Sequence, residues 1–293
     1  MKSLMSLLAV LAAVVGVHAA DAPGLVNGNP PDMRTLKSGD AAPDFELLGT
    51  DGKKHKLSEY TGGEALVVLF TSNHCPTSHS IERRLQKFYE EYKGKGVKLL
   101  AINPNHPDGL SKDELGYGEF GDSYAEMKPY AEKNKWTFDY LYDGDTQTVA
   151  RAYGCLATPH VFVFDKNLKL RYQGRFDDSR FYDDSTVKSK DCQNAVDAIL
   201  AGKPVALELT KPMGCSTKWR EKKALHDAKH EEWAKTPVAV ELIDKAGIAK
   251  LRANTTNKYR VINVWATWCA PCVKEFPDLV EISRKFDMRD FEL

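Results

Sequence analysis

Two apolar runs, Ala65 to Phe70 without a break and Val97 to Asn103 interrupted by Lys98, separated by one amphipathic stretch, constrain this chain more than any other feature. Runs of this length and uniformity fit strands buried on both faces rather than half-exposed ones. Between them Ile81, Leu85, Phe88, Tyr89 and Tyr92 recur at helical spacing, and Gly94 and Gly96 mark the stop. Strand, helix and strand of this kind form a right-handed parallel unit. The stretch Thr71 to Ser78, with Cys75 inside it, then leaves the carboxyl edge of the first strand, where open α/β sheets gather their chemistry.

The neighbouring segments extend this unit into a domain. Phe45 to Leu48 and Lys54 to Leu57 read as a hairpin about Asp51-Gly52. Asn103 to Asp122 is a polar inserted loop, followed by a helix from Ser123 to Asn134 with Pro129 as a kink, a strand over Phe138 to Tyr142 and a helix over Thr146 to Tyr153. His160 to Asp165 and Leu168 to Tyr172 read as an antiparallel pair, and Asp191 to Ala201 as a last helix. The order β-α-β-α-β-α-β-β-α closes a domain by Gly202.

Lys203 to Lys235 shows no clear strand and carries mixed charge on a helix from Ser216 to Ala234, so it reads as a connector. From Thr236 a second unit begins: a strand or turn at Val238 to Leu242, a helix over Lys245 to Ala253, and a buried strand Val261 to Trp265. A Cys-x-x-Cys, a helix over Glu275 to Lys285 containing Pro277, and the start of a strand at Asp290 to Leu293 complete it.

At the other end, Met1-Lys2-Ser3, the apolar run Leu4 to Val17 and the small residues of Val17-His18-Ala19-Ala20 read as a secretory signal peptide cleaved after Ala19 or Ala20. Asp21 to Ser38 reads as a loose leader. The expected plan is therefore signal peptide 1–20, flexible leader 21–38, complete domain 39–202, helical connector 203–235 and the first part of a second domain 236–293. The charge is balanced at 41 basic and 41 acidic residues, which offers nothing to nucleic acid or to an anionic membrane surface. No transmembrane anchor is expected in the mature chain.

Six cysteines in an exported chain allow fifteen disulfide connectivities. Trp268-Cys269-Ala270-Pro271-Cys272 is the most specific cysteine motif. At a helix start the first sulfur meets the positive end of the helix dipole and ionises more easily, and only the thiolate attacks disulfides. A structural disulfide or half a zinc site is the alternative, but no second such pair follows. Cys75, between a buried strand and a helix start and beside His74, is a second candidate reactive thiol, with a buried inert thiol as its alternative. His74 and His79 read singly as surface histidines, and together with Cys75 and Cys155 as a soft-metal set. Cys192 and Cys215 admit either a mutual disulfide or two free thiols. His226 and His230, four residues apart on the connector helix, lack a third ligand.

Val261-Ile262-Asn263-Val264-Trp265-Ala266-Thr267-Trp268-Cys269-Ala270-Pro271-Cys272, with Glu275-Phe276-Pro277, resembles the TlpA/ResA-like extracytoplasmic thioredoxins over the first part of their domain. The resemblance implies that Cys269 attacks and Cys272 resolves, with Trp268 and Pro271 supporting the site. It also implies that the later cis-proline loop and strands of that domain are absent, so that the chain is a fragment of a longer protein. Residues 39 to about 218 resemble the peroxiredoxin-like AhpC/TSA–redoxin group through Ala42-Pro43-Asp44-Phe45, Asn73-His74-Cys75-Pro76, Tyr140-Leu141-Tyr142-Asp143, Ala152-Tyr153-Gly154, Thr158-Pro159, Gly174-Arg175-Phe176-Asp177-Asp178 and Gly214-Cys215-Ser216-Thr217-Lys218-Trp219. Ser72 and Ser78 stand where relatives carry further cysteines. A cis Thr158-Pro159, as in the family, would turn its loop against Cys75, which makes Cys155 the first candidate for its partner, with His74, Pro76, Thr158 and Pro159 supporting. Thr158-Pro159-His160 occupies the stretch where a peroxiredoxin arginine is expected.

Together these readings describe an α/β chain of thioredoxin fold, a central mixed sheet flanked by helices, with one complete domain and a second truncated one. The expected activity is thiol-disulfide exchange in a periplasmic or otherwise extracytoplasmic compartment. Protein or small-molecule disulfides are the expected substrates, and a membrane-bound thiol reductant the expected upstream partner. No cofactor and no metal is required. A thiol peroxidase using Cys75 and a copper-binding module at Cys75, His79 and Cys155 are the rival readings.

Overall fold

The computed structural model describes residues 24–238, 242–287 and 289–293. The signal peptide expected over 1–20 and the centre of the strand or turn expected at Val238 to Leu242 lie outside the described residues. In chain order the elements are β1 (Glu46–Gly49), β2 (Lys54–Lys56), β3 (Ala65–Phe70), α1 (Pro76–Tyr92), β4 (Val97–Asn103), α2 (Tyr124–Lys133), β5 (Asp139–Tyr142), α3 (Thr148–Tyr153), β6 (Ala157–Thr158), β7 (His160–Asp165) and β8 (Leu170–Gly174). There follow α4 (Asp191–Leu200), β9 (Cys215–Ser216), α5 (Lys223–Lys235), α6 (Lys245–Ala253), β10 (Tyr259–Arg260), α7 (Ala270–Lys274), α8 (Phe276–Lys285) and β11 (Phe291–Glu292).

The main sheet has the order β2-β1-β5-β4-β3-β7-β8. Strands β3, β4 and β5 run parallel, and β7 runs antiparallel to β3, from Ala65 opposite Asp165 to Phe70 opposite His160. Because strand side chains alternate between faces, β3 divides its residues between two cores. Ala65, Val67 and Leu69 meet Ile81, Leu85, Phe88 and Tyr92 of α1 with parts of α2 and α4, whereas Leu66, Val68 and Phe70 meet α3. Both faces are covered, which is why β3 and β4 read as apolar runs.

The second core corrects two expectations. The leader is not loose over its described part: Leu25 and Leu36 are buried there, and the Leu36 carbonyl accepts from Gln173 Nε2 at 2.6 Å. Nor does the domain close at Gly202. The chain comes back past β8, where Gln173 N–H donates to Glu208 O at 3.0 Å, pairs β9 with β6, and buries Trp219 completely in the same core. The expected connector therefore contains a strand and a core residue, and its helical part is α5.

The second unit differs more. Val261 to Trp265 was expected as a buried strand, yet the strand is Tyr259–Arg260, paired in parallel with Phe291–Glu292, and Val264 stands 85% exposed. Among the described residues this sheet has two strands of two residues each, so no sheet face covers the apolar side chains that follow. α7 and α8 replace the single expected helix, with Pro277 in the first turn of α8. No helix among the described residues is long and apolar enough to cross a membrane.

Candidate active site

Cys75 stands at the cap of α1 because β3 ends at Phe70 and Pro76 fixes the first helical position, where a missing N–H costs nothing. Its sulfur is wholly buried. As a thiol it donates to Thr158 O at 3.0 Å. Burial on its own pushes this thiol's pKa up, but its neighbours Cys215 and Ser78 and the charge of His74 outweigh it and hold Cys75 well below the ordinary thiol range. Cys215 is pushed the other way, first by its hydrogen bond to Cys75 and then by burial. Of the two thiols, Cys75 is therefore the more acidic.

The approach of Cys215 depends on its predecessor. A Cβ on Gly214 would lie 1.9 Å from Thr158 O, so a residue with a side chain cannot pass there. With Gly214 in place, β9 pairs antiparallel to β6 and sets Cys215 opposite Thr158. The Thr158–Pro159 peptide is cis, as the resemblance implied. Ser72 Oγ lies 2.9 Å from Thr158 Oγ1, which ties the end of β3 to the same loop.

Behind the sulfur lies a buried ion pair. His74 Nδ1 and Asp122 Oδ2 are 2.5 Å apart with both side chains buried, and Asp122 also accepts from Asn73 N–H at 2.8 Å and Asn105 Nδ2 at 2.7 Å. Burial opposes the charge on each partner, but their attraction prevails: it raises the imidazole's pKa and lowers the carboxyl's. His74 Nε2 is buried and has no hydrogen-bond partner among the described residues. Lys218, also buried, pairs with Glu114, and burial together with Lys218 pulls Lys222 down to about 8 while its Nζ donates to Thr217 O at 2.6 Å. Cys75 and His74 thus sit at the loop of the cis peptide, with Lys218 near enough to act on His74 and Cys215.

The structure does not bring together all the residues singled out from the sequence. Cys155 Sγ turns to Ala157 O at 3.4 Å and Thr217 Oγ1 at 3.5 Å, and full burial pushes its thiol up to about 12. Cys192 is buried on α4 in the opposite core, so Cys192 and Cys215 are both free and are not neighbours. His79 commits Nε2 to Asn73 O at 2.6 Å. The set Cys75, His79 and Cys155 is therefore not assembled, and among the described residues no group of three His, Cys, Asp or Glu side chains could hold a metal ion. His160, beside Pro159, is buried and held down to about 3 by desolvation.

Cys269 and Cys272 are joined by a disulfide, with Cys269 at the cap of α7 and Pro271 in its first turn. Trp268, expected to support the site, stands 84% exposed. The residues that sequence reasoning did not place at the Cys75 site are Cys215, Lys218, Glu114 and Asp122. The signal for the first two was present, since Gly214 to Trp219 was among the matched stretches. Asp122 ends a polar loop and carries no local pattern.

Residues 38–173 match the AhpC/TSA family. This match and the relatives that follow support a redoxin domain of the thioredoxin superfamily over that stretch. The chain is 28% identical over 133 residues to the thiol-disulfide oxidoreductase ResA of Geobacillus thermodenitrificans, covering 45% of this chain and 66% of that protein. It is 30% identical over 115 residues to peroxiredoxin Bcp of Escherichia coli, covering 39% and 63%. The redoxin-bearing chain thus spans about two thirds of the length of these relatives. Among solved structures it is similar to a hypothetical protein of Sinorhizobium meliloti 1021, at 33% identity and a TM-score of 0.56 over 64% of this chain and 97% of that one. An uncharacterized conserved protein of Geobacillus kaustophilus is alike at 35% identity and 0.56, over 64% and 94%.

Proposed function

We propose that this protein is an exported thiol-disulfide oxidoreductase in which Cys75 of the redoxin domain is the attacking thiol. The observation that carries the reading is the place of Cys75 at the cap of a 17-residue helix, buried beside His74 and against the cis Thr158–Pro159 loop, surroundings that hold its thiol well below the ordinary range. A thiolate so held attacks a disulfide sulfur, forms a mixed disulfide and is released by a second thiol. The Cys269–Cys272 pair supplies a second redox centre of thioredoxin type, with Cys269 as its attacking sulfur. Likeness to the thiol-disulfide oxidoreductase ResA supports disulfide chemistry, and the proposal adds to it an extracytoplasmic setting and a membrane-bound thiol reductant upstream.

The rival reading is a thiol peroxidase. Complete burial of the Cys75 sulfur favours it, because a peroxide reaches an enclosed thiolate more easily than a folded disulfide does, and likeness to Bcp supports it. The test is insulin-disulfide reduction and peroxide consumption by the full chain, by Cys75→Ser and by Cys269→Ser, each driven by a dithiol donor. Cys75→Ser is expected to lose most of its disulfide reduction, and alkylation of Cys75 by iodoacetamide to titrate below the ordinary thiol value of about 8.5. If neither substitution slows disulfide reduction, the reading is wrong. Peroxide consumption that vanishes in Cys75→Ser while disulfide reduction persists puts the peroxidase in its place.

A further inference from the structure

We infer that Cys215 is the resolving cysteine of the redoxin domain, and that Cys75 and Cys215 form an intrachain disulfide in the working cycle. This rests on the reading of Cys75 as the attacking thiol. The geometry behind it is independent of that reading. Gly214, next to Cys215, packs so closely on the Thr158–Pro159 loop that a Cβ there would lie 1.9 Å from Thr158 O. β9 holds Cys215 opposite Thr158, the residue whose carbonyl accepts from Cys75 Sγ at 3.0 Å. The other free cysteines are placed elsewhere: Cys155 points to Thr217, and Cys192 lies in the core across the sheet.

Exposure assigns the two sulfurs different tasks. Cys75 is sealed, whereas Cys215 is partly exposed on a two-residue strand. That strand is reached through the exposed stretch Gly202 to Leu209, so β9 can yield locally without unfolding the main sheet. When the Cys75 thiolate attacks a substrate disulfide, the substrate S–S bond breaks and the first thiolate leaves, taking a proton from solvent. Cys215 then loses its own proton to solvent and attacks Cys75 Sγ. The mixed S–S bond breaks, the second substrate thiolate departs, and the Cys75–Cys215 bond remains. Two electrons have passed to the substrate, and a dithiol reductant, small-molecule or protein, returns the pair to its starting state.

The charge on Cys75 raises the Cys215 pKa, and that influence goes once Cys75 is in a mixed disulfide, leaving Lys218, which lowers it, and burial and Glu114, which raise it.

The experiment uses the full chain carrying Cys269→Ser and Cys272→Ser, treated at neutral pH with 2-hydroxyethyl disulfide, a probe small enough to enter a closed site. Peptide mapping by mass spectrometry without reduction is expected to find Cys75 linked to Cys215, with two equivalents of mercaptoethanol released. Adding Cys215→Ser is expected to stop the reaction at a Cys75–mercaptoethanol adduct with one equivalent released, and adding Cys155→Ser to change nothing. A Cys75 adduct that persists when Cys215 is present, or a link from Cys75 to Cys155, overturns the assignment of Cys215 while leaving Cys75 as the attacker. No reaction at Cys75 in any variant overturns the reading on which it rests. The unsubstituted chain, mapped after the same treatment, guards against a variant that does not fold.

Discussion

Cys75 and Cys269 each follow an apolar run, stand at the start of a helix and have a proline close behind, yet one sulfur is sealed inside the molecule and the other lies in a segment whose Val264 and Trp268 are exposed. The local sequence makes a cap in both places. Enclosure comes from elsewhere: the cis-proline loop, β9 and the His74–Asp122 pair converge on Cys75 from three distant parts of the chain. The contrast separates what a helix start does for a thiol from what a built pocket adds.

The largest expected effect breaks the comparison at its tryptophans. Trp219→Ala, which empties a fully buried slot beneath the redoxin sheet, should cost about 3–5 kcal/mol in urea unfolding followed by fluorescence or circular dichroism. Trp268→Ala, next to Cys269, should stay within about 0.5 kcal/mol. Equal effects would mean that the two regions are packed alike.

Next comes the buried ion pair, for which the Cys269 region has no counterpart among its described contacts. Asp122→Asn leaves the His74 charge uncompensated and should cost about 3 kcal/mol. The pH dependence carries a sign. The Asp122 pKa is lowered in the fold, so its contribution is present above about pH 3.9 and is lost as the pH falls through the depressed value. The His74 pKa is raised, so its contribution is present below about pH 6.5 and is lost as the pH climbs through the elevated value. The stability gap between wild type and Asp122→Asn should therefore be widest between about pH 4 and 6.5, and a flat gap would contradict the pair.

The smallest effect sharpens the comparison at the loop. Gly214→Ala forces β9 away from Thr158 and should cost about 1–3 kcal/mol. It should also move the alkylation midpoint of Cys75 toward the ordinary thiol value while leaving that of reduced Cys269 unchanged. An unmoved Cys75 midpoint would show that the cap alone sets its acidity.

How much of this was legible beforehand follows the range of the interactions. β3 and β4 were read to the residue, because burial on both faces writes itself into a short apolar run bounded by turn residues. α1 was read from its heptad-like face, and Cys75, Pro76 and the cis Thr158–Pro159 from position at the sheet edge and likeness to a family. β6 and β9 were not legible, since two residues have no periodicity and their pairing joins segments far apart in the chain. The partner of Cys75 failed for the same reason. Cys155 is near Pro159 in sequence, but its side chain leaves the loop on the side of Thr217, while Cys215 arrives from beyond the last helix of the sheet domain. The apolar run at Val261 promised a buried strand because its composition records a sheet face that the described residues do not supply.

The return of the chain through Gly214 and Trp219 also sets a timetable. A polypeptide that emerges N-terminus first presents Cys75 and its parallel strands well before the segment that closes over them. During that interval Cys155 is already at hand and Cys215 is not. The arrival of β9 is thus the step that ends the exposure of the Cys75 sulfur, and a nascent chain stalled before Trp219 would be the form most open to the wrong cross-link.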